Sequence, residues 1–236
     1  MKKIIIAVSI ALQLIAIALF VYYENINFTP IYADYAKYFT IILAFLTSAA
    51  LLKDSLSLKD GLLLSAGMLL TIVIDYFLVI ARPYAQNYED VVRNHVIGMT
   101  LYGICQCIYF FRFQKPKRAL ILPFFLIIPA VLYFLTSFKA LRLDTLTIVT
   151  TFYIQVLAAN LCSAIWSVKN KKFPKINGIL ILTGMFIFVI GDITVVLTNT
   201  FHIEFFRRLI WVFYTPSQLL LSLSAFNYKN LRKEGD

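Results

Sequence analysis

The chain is expected to fold as an all-α integral membrane protein of eight transmembrane helices, built as two parallel four-helix repeats. Three observations predict this. The 236 residues are 61% hydrophobic and 14% charged, with a mean hydropathy of +0.81, which leaves too little polar surface to clothe a soluble globule of this size. The apolar residues gather in eight runs, each close to the roughly 20 residues needed to cross a bilayer core. The same polar and small residues then recur at constant offsets in the two halves of the chain, the signature of an internal repeat.

The runs cover approximately 4–23, 35–52, 61–81, 95–113, 119–138, 145–167, 177–199 and 209–227. The first begins MKKIIIAVSIALQ like a signal peptide. Its apolar stretch is longer than an ordinary h-region and no A-x-A-like cleavage site follows, so it reads as the first helix. The second carries Lys37 near its start, the third Asp75, the fourth Gln106, and the sixth Gln155 and Asn160. The seventh carries Asp192, and the eighth contains Pro216, expected to bend it and free a backbone carbonyl. Connections such as RFQKPKR and VKNKKFPK are too short for a soluble domain. Residues 1–236 therefore read as one membrane domain, with repeat one at about 1–114 and repeat two at about 115–236.

A net charge of +10 raises nucleic acid as a partner, but the basic residues sit in short clusters between apolar runs, where membrane topology predicts them. The N-terminus, the connections after the second, fourth and sixth segments, and the C-terminal tail together hold 15 Lys and Arg, against 7 in the remaining connections. Both termini are thus expected on the cytoplasmic side of a plasma (inner) membrane. Cys105, Cys107 and Cys162 lie in apolar runs without metal-ligand spacing and read as small buried hydrophobes. His95 and His202 are isolated at expected outer helix ends, so neither a metal nor a cofactor is expected. Oligomeric state is not legible in the sequence.

The repeat organises the polar inventory. Gly61, Gly67, Met68 and Asp75 match Gly178, Gly184, Met185 and Asp192 at an offset of 117. Tyr38, Ala44, Leu46, Ser48 and Ala49 match Tyr153, Ala159, Leu161, Ser163 and Ala164 at 115, and Tyr102 and Gln106 match Tyr214 and Gln218 at 112. Four helices separate equivalent positions, so the pseudo-two-fold is expected along the membrane normal. Asp75 and Asp192 each fall about 21 Å along a helix from its cytoplasmic start, which puts them at one depth, nearer the outer face of a roughly 30 Å core. Gly, Met and Asp recur seven apart on each acid-bearing segment, on one helix face expected to line the interface between halves. Seven of the eight glycines lie in the third, fourth and seventh segments, which with the eighth are expected to pack most closely.

Placing an Asp at the centre of a membrane helix costs roughly 2.5 to 3.5 kcal/mol, so two such acids call for partners or a task. One reading makes Asp75 and Asp192 catalytic; the other makes them a structural pair tying the halves together. Gln106, Gln218 and Asn160 have the same two readings, pocket contact or helix bridging. Tyr102, Tyr109 and Tyr214 are candidates for ligand contact in a chain with 14 tyrosines, many of which belong to interfacial belts. Lys37 either binds a phosphate headgroup or snorkels to the outer interface.

These residues, in this order, resemble the YhhN/lysoplasmalogenase family of polytopic membrane proteins, over most of the chain. The family pattern is a Lys at the start of helix 2, Gly-Asp on helix 3, G…H-x-x-Y on helix 4, a Ser-Asp or similar on helix 7 and Y-x-x-x-Q-x-L on helix 8. The corresponding residues are Lys37, Asp75, Gly98 with Gln106 and Tyr109, Asp192, and Tyr214 with Gln218 and Leu220. Ile74 replaces the usual Gly and Gln106 the usual His, and a glutamine cannot transfer a proton. The resemblance implies hydrolysis of the vinyl ether bond of lysoplasmalogens, giving a fatty aldehyde and glycerophosphoethanolamine or glycerophosphocholine. It makes a lysophospholipid the expected substrate, with membrane lipids as surroundings and no nucleic acid. Vinyl ether hydrolysis protonates carbon to form an oxocarbenium ion, which water captures before the hemiacetal collapses. An acid beside an anion suits that sequence. The alternative is a proton-coupled transporter of small molecules or lipids, or a lipid-binding membrane protein, since parallel repeats with acids at their interface also suit alternating access.

Overall fold

The computed structural model describes residues 2–25, 30–113, 145–199 and 201–228. These residues form α1 (Lys2–Asn25), α2 (Pro30–Ala50), α3 (Leu58–Asp75), α4 (Tyr88–Phe113), α5 (Thr145–Lys169), α6 (Lys175–Asn199) and α7 (Arg207–Leu223). The expected segment at 119–138 lies outside the described residues. Five helical stretches, within or spanning α1, α3, α4, α5 and α6, are long and apolar enough to cross a membrane. Large apolar side chains such as Leu14, Leu62, Phe111 and Phe186 point outward and are more than half or nearly half exposed. A helical protein that spends its apolar residues on the outside has lipid for its solvent, and the chain is a multi-pass membrane protein.

Helix ends depart from the expected ones where polar residues extend a helix beyond its apolar core. The second helix begins at Pro30 rather than 35, because proline is pre-set for a first turn. The fourth begins at Tyr88 rather than 95: Asn87 Oδ1 accepts the Asp90 N–H at 2.8 Å, and Glu89 and Asp90 occupy the first turn, where acids complement the helix dipole. This places His95 inside α4 rather than at a helix end. The last helix stops at Leu223 rather than 227. There the chain turns, and the Asn227 N–H bonds to the Asp54 carbonyl at 2.9 Å, beside an antiparallel bridge between Ser55 and Phe226.

The helices close into a ring. Each of α2 to α7 packs on its neighbours in chain order, α7 packs back on α2, and α1 lies outside against α2 and α7. Gln13 seats α1 by donating to the Thr40 carbonyl at 3.0 Å. In this ring α3 stands opposite α6, and α4 opposite α7. The faces bearing Gly61, Met68 and Asp75, and Gly178 and Met185, are buried, while Asp192 is half-buried. Close packing depends on small residues: a Cβ on Gly67 of α3 would lie 2.5 Å from the Tyr109 ring of α4, a distance no carbon pair tolerates.

One end of the ring is fastened by a buried ion pair absent from the expectations. Arg112 of α4 donates to both carboxylate oxygens of Asp60 on α3, at 3.0 and 3.1 Å. It also donates to the Ser224 hydroxyl at 2.9 Å and the Ser224 carbonyl at 3.1 Å, just beyond α7. Asn177 of α6 joins by donating to the carbonyls of Ser224 at 3.0 Å and Phe226 at 2.6 Å. The planar, multidentate guanidinium thus joins three helices in a way a lysine cannot reproduce. Removing one partner strands a buried charge, so Arg112→Ala is expected to destabilise the protein by about 3 to 5 kcal/mol. Arg112→Lys should recover only part of this. Thermal unfolding in detergent checks both; an unchanged midpoint for Arg112→Ala would remove the clamp from the account.

Candidate functional site

The two acids sit on opposed helices, and tyrosines fill the space between them. Asp75 ends the regular part of α3 and is 2% exposed. Immediately after it the helix widens into a π-helical turn, Tyr76–Ile80, in which the Ala81 N–H reaches the Tyr76 carbonyl at 2.8 Å. Such turns displace the following side chains from α-helical register and recur at functional sites. Asp192 lies on α6, four residues after the buried Phe188.

Each acid is held by a phenol. Tyr214 of α7 donates its hydroxyl to Asp75 Oδ2 at 2.8 Å, and Tyr153 of α5 donates to Asp192 Oδ2. The hydroxyls of Tyr102 and Tyr214 are hydrogen-bonded to one another across the ring. A phenol has a single proton to give. With the Tyr214 proton directed at Asp75, the proton in the second bond comes from Tyr102, and the donors run Tyr102 to Tyr214 to Asp75. Tyr102 also stands within electrostatic reach of both carboxylates.

The rings form a continuous aromatic wall. Phe188 lies 6.1 Å from Tyr102 and 5.6 Å from Tyr214 between ring centres, and Tyr102 lies 5.4 Å from Tyr153. Trp211 packs edge-on to Tyr214 at 5.1 Å. The faces bearing the acids are expected to line one interface, and there each carboxylate bonds to a tyrosine rather than to the other carboxylate. The side chains of Tyr102 and Tyr214, from the two helices that flank the α3–α6 diameter, come between them.

The remaining expected residues divide into two groups. Asn160 and Gln106 are fully buried and bound to each other: the Asn160 amide donates to the Gln106 carbonyl and to its Oε1, both at 2.7 Å. Gln106 lies one turn along α4 from Tyr102, and Gln218 one turn along α7 from Tyr214. The Gln218 side-chain oxygen is buried with no hydrogen-bond partner among the described residues. Tyr109 is packed against Gly67, away from the acids.

Lys37 departs from the snorkelling expectation. It is 6% exposed and pairs with Glu24 at 3.1 Å and Asp34 at 3.4 Å, with its ammonium 5.9 Å from the centre of Trp211. Two carboxylates and an aromatic face hold the cation inward, so the cluster Lys37, Trp211, Tyr214, Asp75 is contiguous through packed side chains.

Tyr153, Phe188 and Trp211 complete the site although sequence reasoning singled out none of them for it. Tyr153 entered only as a match to Tyr38 in the repeat. Tyr38 lies near Asp75, but among the described residues it does not bond to it: Asp75 takes its phenol from across the ring and Asp192 takes one from a neighbouring helix. The two aligned tyrosines should therefore respond differently. Removing the hydroxyl in Tyr153→Phe or Tyr214→Phe leaves a carboxylate short of a donor and is expected to cost about 1 to 3 kcal/mol, whereas Tyr38→Phe should change stability by less than about 0.5 kcal/mol. Unfolding midpoints of the three variants measured side by side test this, and equal shifts would contradict it.

No curated protein and no solved structure matches the chain. The model of the YhhN family matches residues 32–225, from the start of α2 to the turn after α7, which takes in both acids and every tyrosine of the cluster. On that match the chain belongs to the YhhN family.

Proposed function

We propose that the protein is a membrane-embedded lipid hydrolase that cleaves the vinyl ether bond of lysoplasmalogen-like lysophospholipids. One observation carries this reading: two carboxylates lie at similar distances along opposed helices, each bonded to a phenol, with a tyrosine pair between them. Such a cluster can hold and redistribute protons in a medium without water. Membership of the YhhN family and the helical membrane architecture agree with it.

In the proposed reaction Asp192, the less buried acid, meets the substrate. Its proton goes to the vinyl carbon remote from oxygen, and the carboxylate left behind faces the oxocarbenium ion. Water adds to that cation and gives up a proton to the carboxylate, and collapse of the hemiacetal moves a proton to the departing glyceryl oxygen. Aldehyde and glycerophospho-alcohol leave, and the enzyme regains its starting protonation. Asp75, behind Tyr214 and Tyr102, balances charge on the substrate side. The proposal includes the eight-helix, two-repeat architecture, in which α2, α3 and α4 correspond to α5, α6 and α7, with both termini cytoplasmic in the plasma membrane. The matched order of helix neighbours around the ring favours a second reading, proton-coupled transport of a lipid or small molecule by two rocking halves.

Lysoplasmalogen supplied to the purified protein separates the readings. Aldehyde release is expected, lowered about 10²-fold or more in Asp75→Asn and Asp192→Asn and about ten-fold in Tyr102→Phe. Normal turnover by both Asp variants would sink the mechanism. Uptake into proteoliposomes without product, lost in the same variants, would establish transport instead.

A further inference from the structure

At the junction of α5 and α6 lies a cavity of about 640 Å³, lined by Val168, Lys171, Lys172, Phe173, Lys175 and Gly178 among others. Lys175 precedes Asp192 by 17 residues on one continuous helix, about 25 Å along it, so the cavity is separate from the acid and tyrosine cluster. Its electrostatics are one-sided. From Thr145 through Gly191 the sequence contains no acidic residue, while Lys169, Lys171, Lys172 and Lys175 follow closely on one another. Lys172 is engaged, donating to the Arg112 carbonyl at 2.9 Å. Lys171 and Lys175 are exposed, and their side chains make no hydrogen bond or ion pair among the described residues. Asp60, the acid of the neighbouring clamp, is already bidentate with Arg112.

Local physics disfavours lysine at both free positions. Lys171 has φ of +52°, and its N–H bonds to the Val168 carbonyl while that of Lys172 reaches Ser167. This is the helix-ending arrangement that glycine normally occupies, and a side chain there adds conformational cost. Lys175 opens α6, where the helix dipole repels a cation. Two lysines kept against local preference at the mouth of one cavity point to a negatively charged occupant. The surroundings supply apolar contacts as well: Val168, Ile179 and the buried Phe173 line the cavity, and Trp166, Ile176 and Ile179 are lipid-facing at 41%, 50% and 49% exposure. Gly178 keeps its side of the wall low, since a Cβ there would lie 3.3 Å from Val168.

We infer that this cavity binds the phosphate of an anionic phospholipid, with Lys171 and Lys175 on the headgroup and the acyl chains along the exposed apolar faces of α5 and α6. The assignment stands apart from the hydrolase reading and survives its failure. The chain has two tryptophans, so Trp211→Phe leaves Trp166 as a reporter beside the site. In mixed micelles of phosphatidylcholine, brominated phosphatidylglycerol is expected to quench Trp166 at about ten-fold lower mole fraction than brominated phosphatidylcholine. The preference should vanish in Lys171→Gln/Lys175→Gln. Lys171→Gly relieves the backbone, so it should raise the unfolding midpoint in phosphatidylcholine while weakening the preference, which separates loss of the site from loss of the fold. Equal quenching by the two lipids, a preference retained in the double variant, or displacement of brominated phosphatidylglycerol by millimolar inorganic phosphate would each overturn the lipid assignment.

Discussion

A carboxylate in hydrocarbon has to find donors inside the protein, and the arrangement of this ring follows from meeting that need twice. Asp75 and Asp192 both lie inside stretches long and apolar enough to cross a membrane, Asp75 buried and Asp192 half-buried. Each therefore draws a phenol from another helix, and those phenols decide which helices stand where. Tyr214 commits α7 to α3, Tyr153 commits α5 to α6, and the bond between Tyr102 and Tyr214 ties α4 to α7 across the middle. Glycines at the crossings let the backbones approach far enough for these short side chains to meet.

The opposite end of the ring solves a similar problem differently. Arg112 and Asp60 neutralise each other, and the remaining guanidinium donors are spent on the Ser224 hydroxyl and carbonyl. A fully bonded, bidentate ion pair has no proton to lend and acts as a rivet. The acid and tyrosine cluster is joined by hydroxyl protons, which can be redistributed, and Lys37, which packs on it through Trp211, is already paired with Glu24 and Asp34. That contrast in chemistry is why the proposed reaction is assigned to one end and the structural role to the other. Between them the Gln106 and Asn160 pair bridges α4 to α5, as buried amides in membrane helices commonly do.

The correspondence between the two proposed repeats breaks down at the acids. Tyr38 and Tyr153 align in the sequence, yet among the described residues only Tyr153 bonds to its acid; Asp75 is buried and Asp192 half-buried. With one acid buried and the other half-buried, the cluster can hold one toward a substrate and the other in reserve, the distinction on which the proposed roles of Asp192 and Asp75 rest. Gln106, in place of the histidine usual in the pattern, accepts hydrogen bonds here and moves no proton, so in the proposed reaction proton transfer falls to the acids and phenols.

Much was legible in the residues themselves because hydrocarbon is a demanding solvent. Composition and run length determine that the chain crosses the membrane repeatedly; the cost of intramembrane charge marks Asp75 and Asp192; constant offsets pair Tyr102 with Tyr214. Other features needed the fold. Helix edges extended past the apolar runs because Pro30 and the Asn87 cap act locally, outside any hydropathy count. Lys37 near a helix start suggests snorkelling until Glu24 and Asp34 are seen turned inward beside it. Tyr153 and Arg112 are ordinary residues in their own segments and acquire partners 39 and 52 positions away. Hydropathy and spacing are properties of one helix, and the sequence alone determines them; which hydroxyl reaches which carboxylate depends on how six helices close into a ring, and only the tertiary structure decides it.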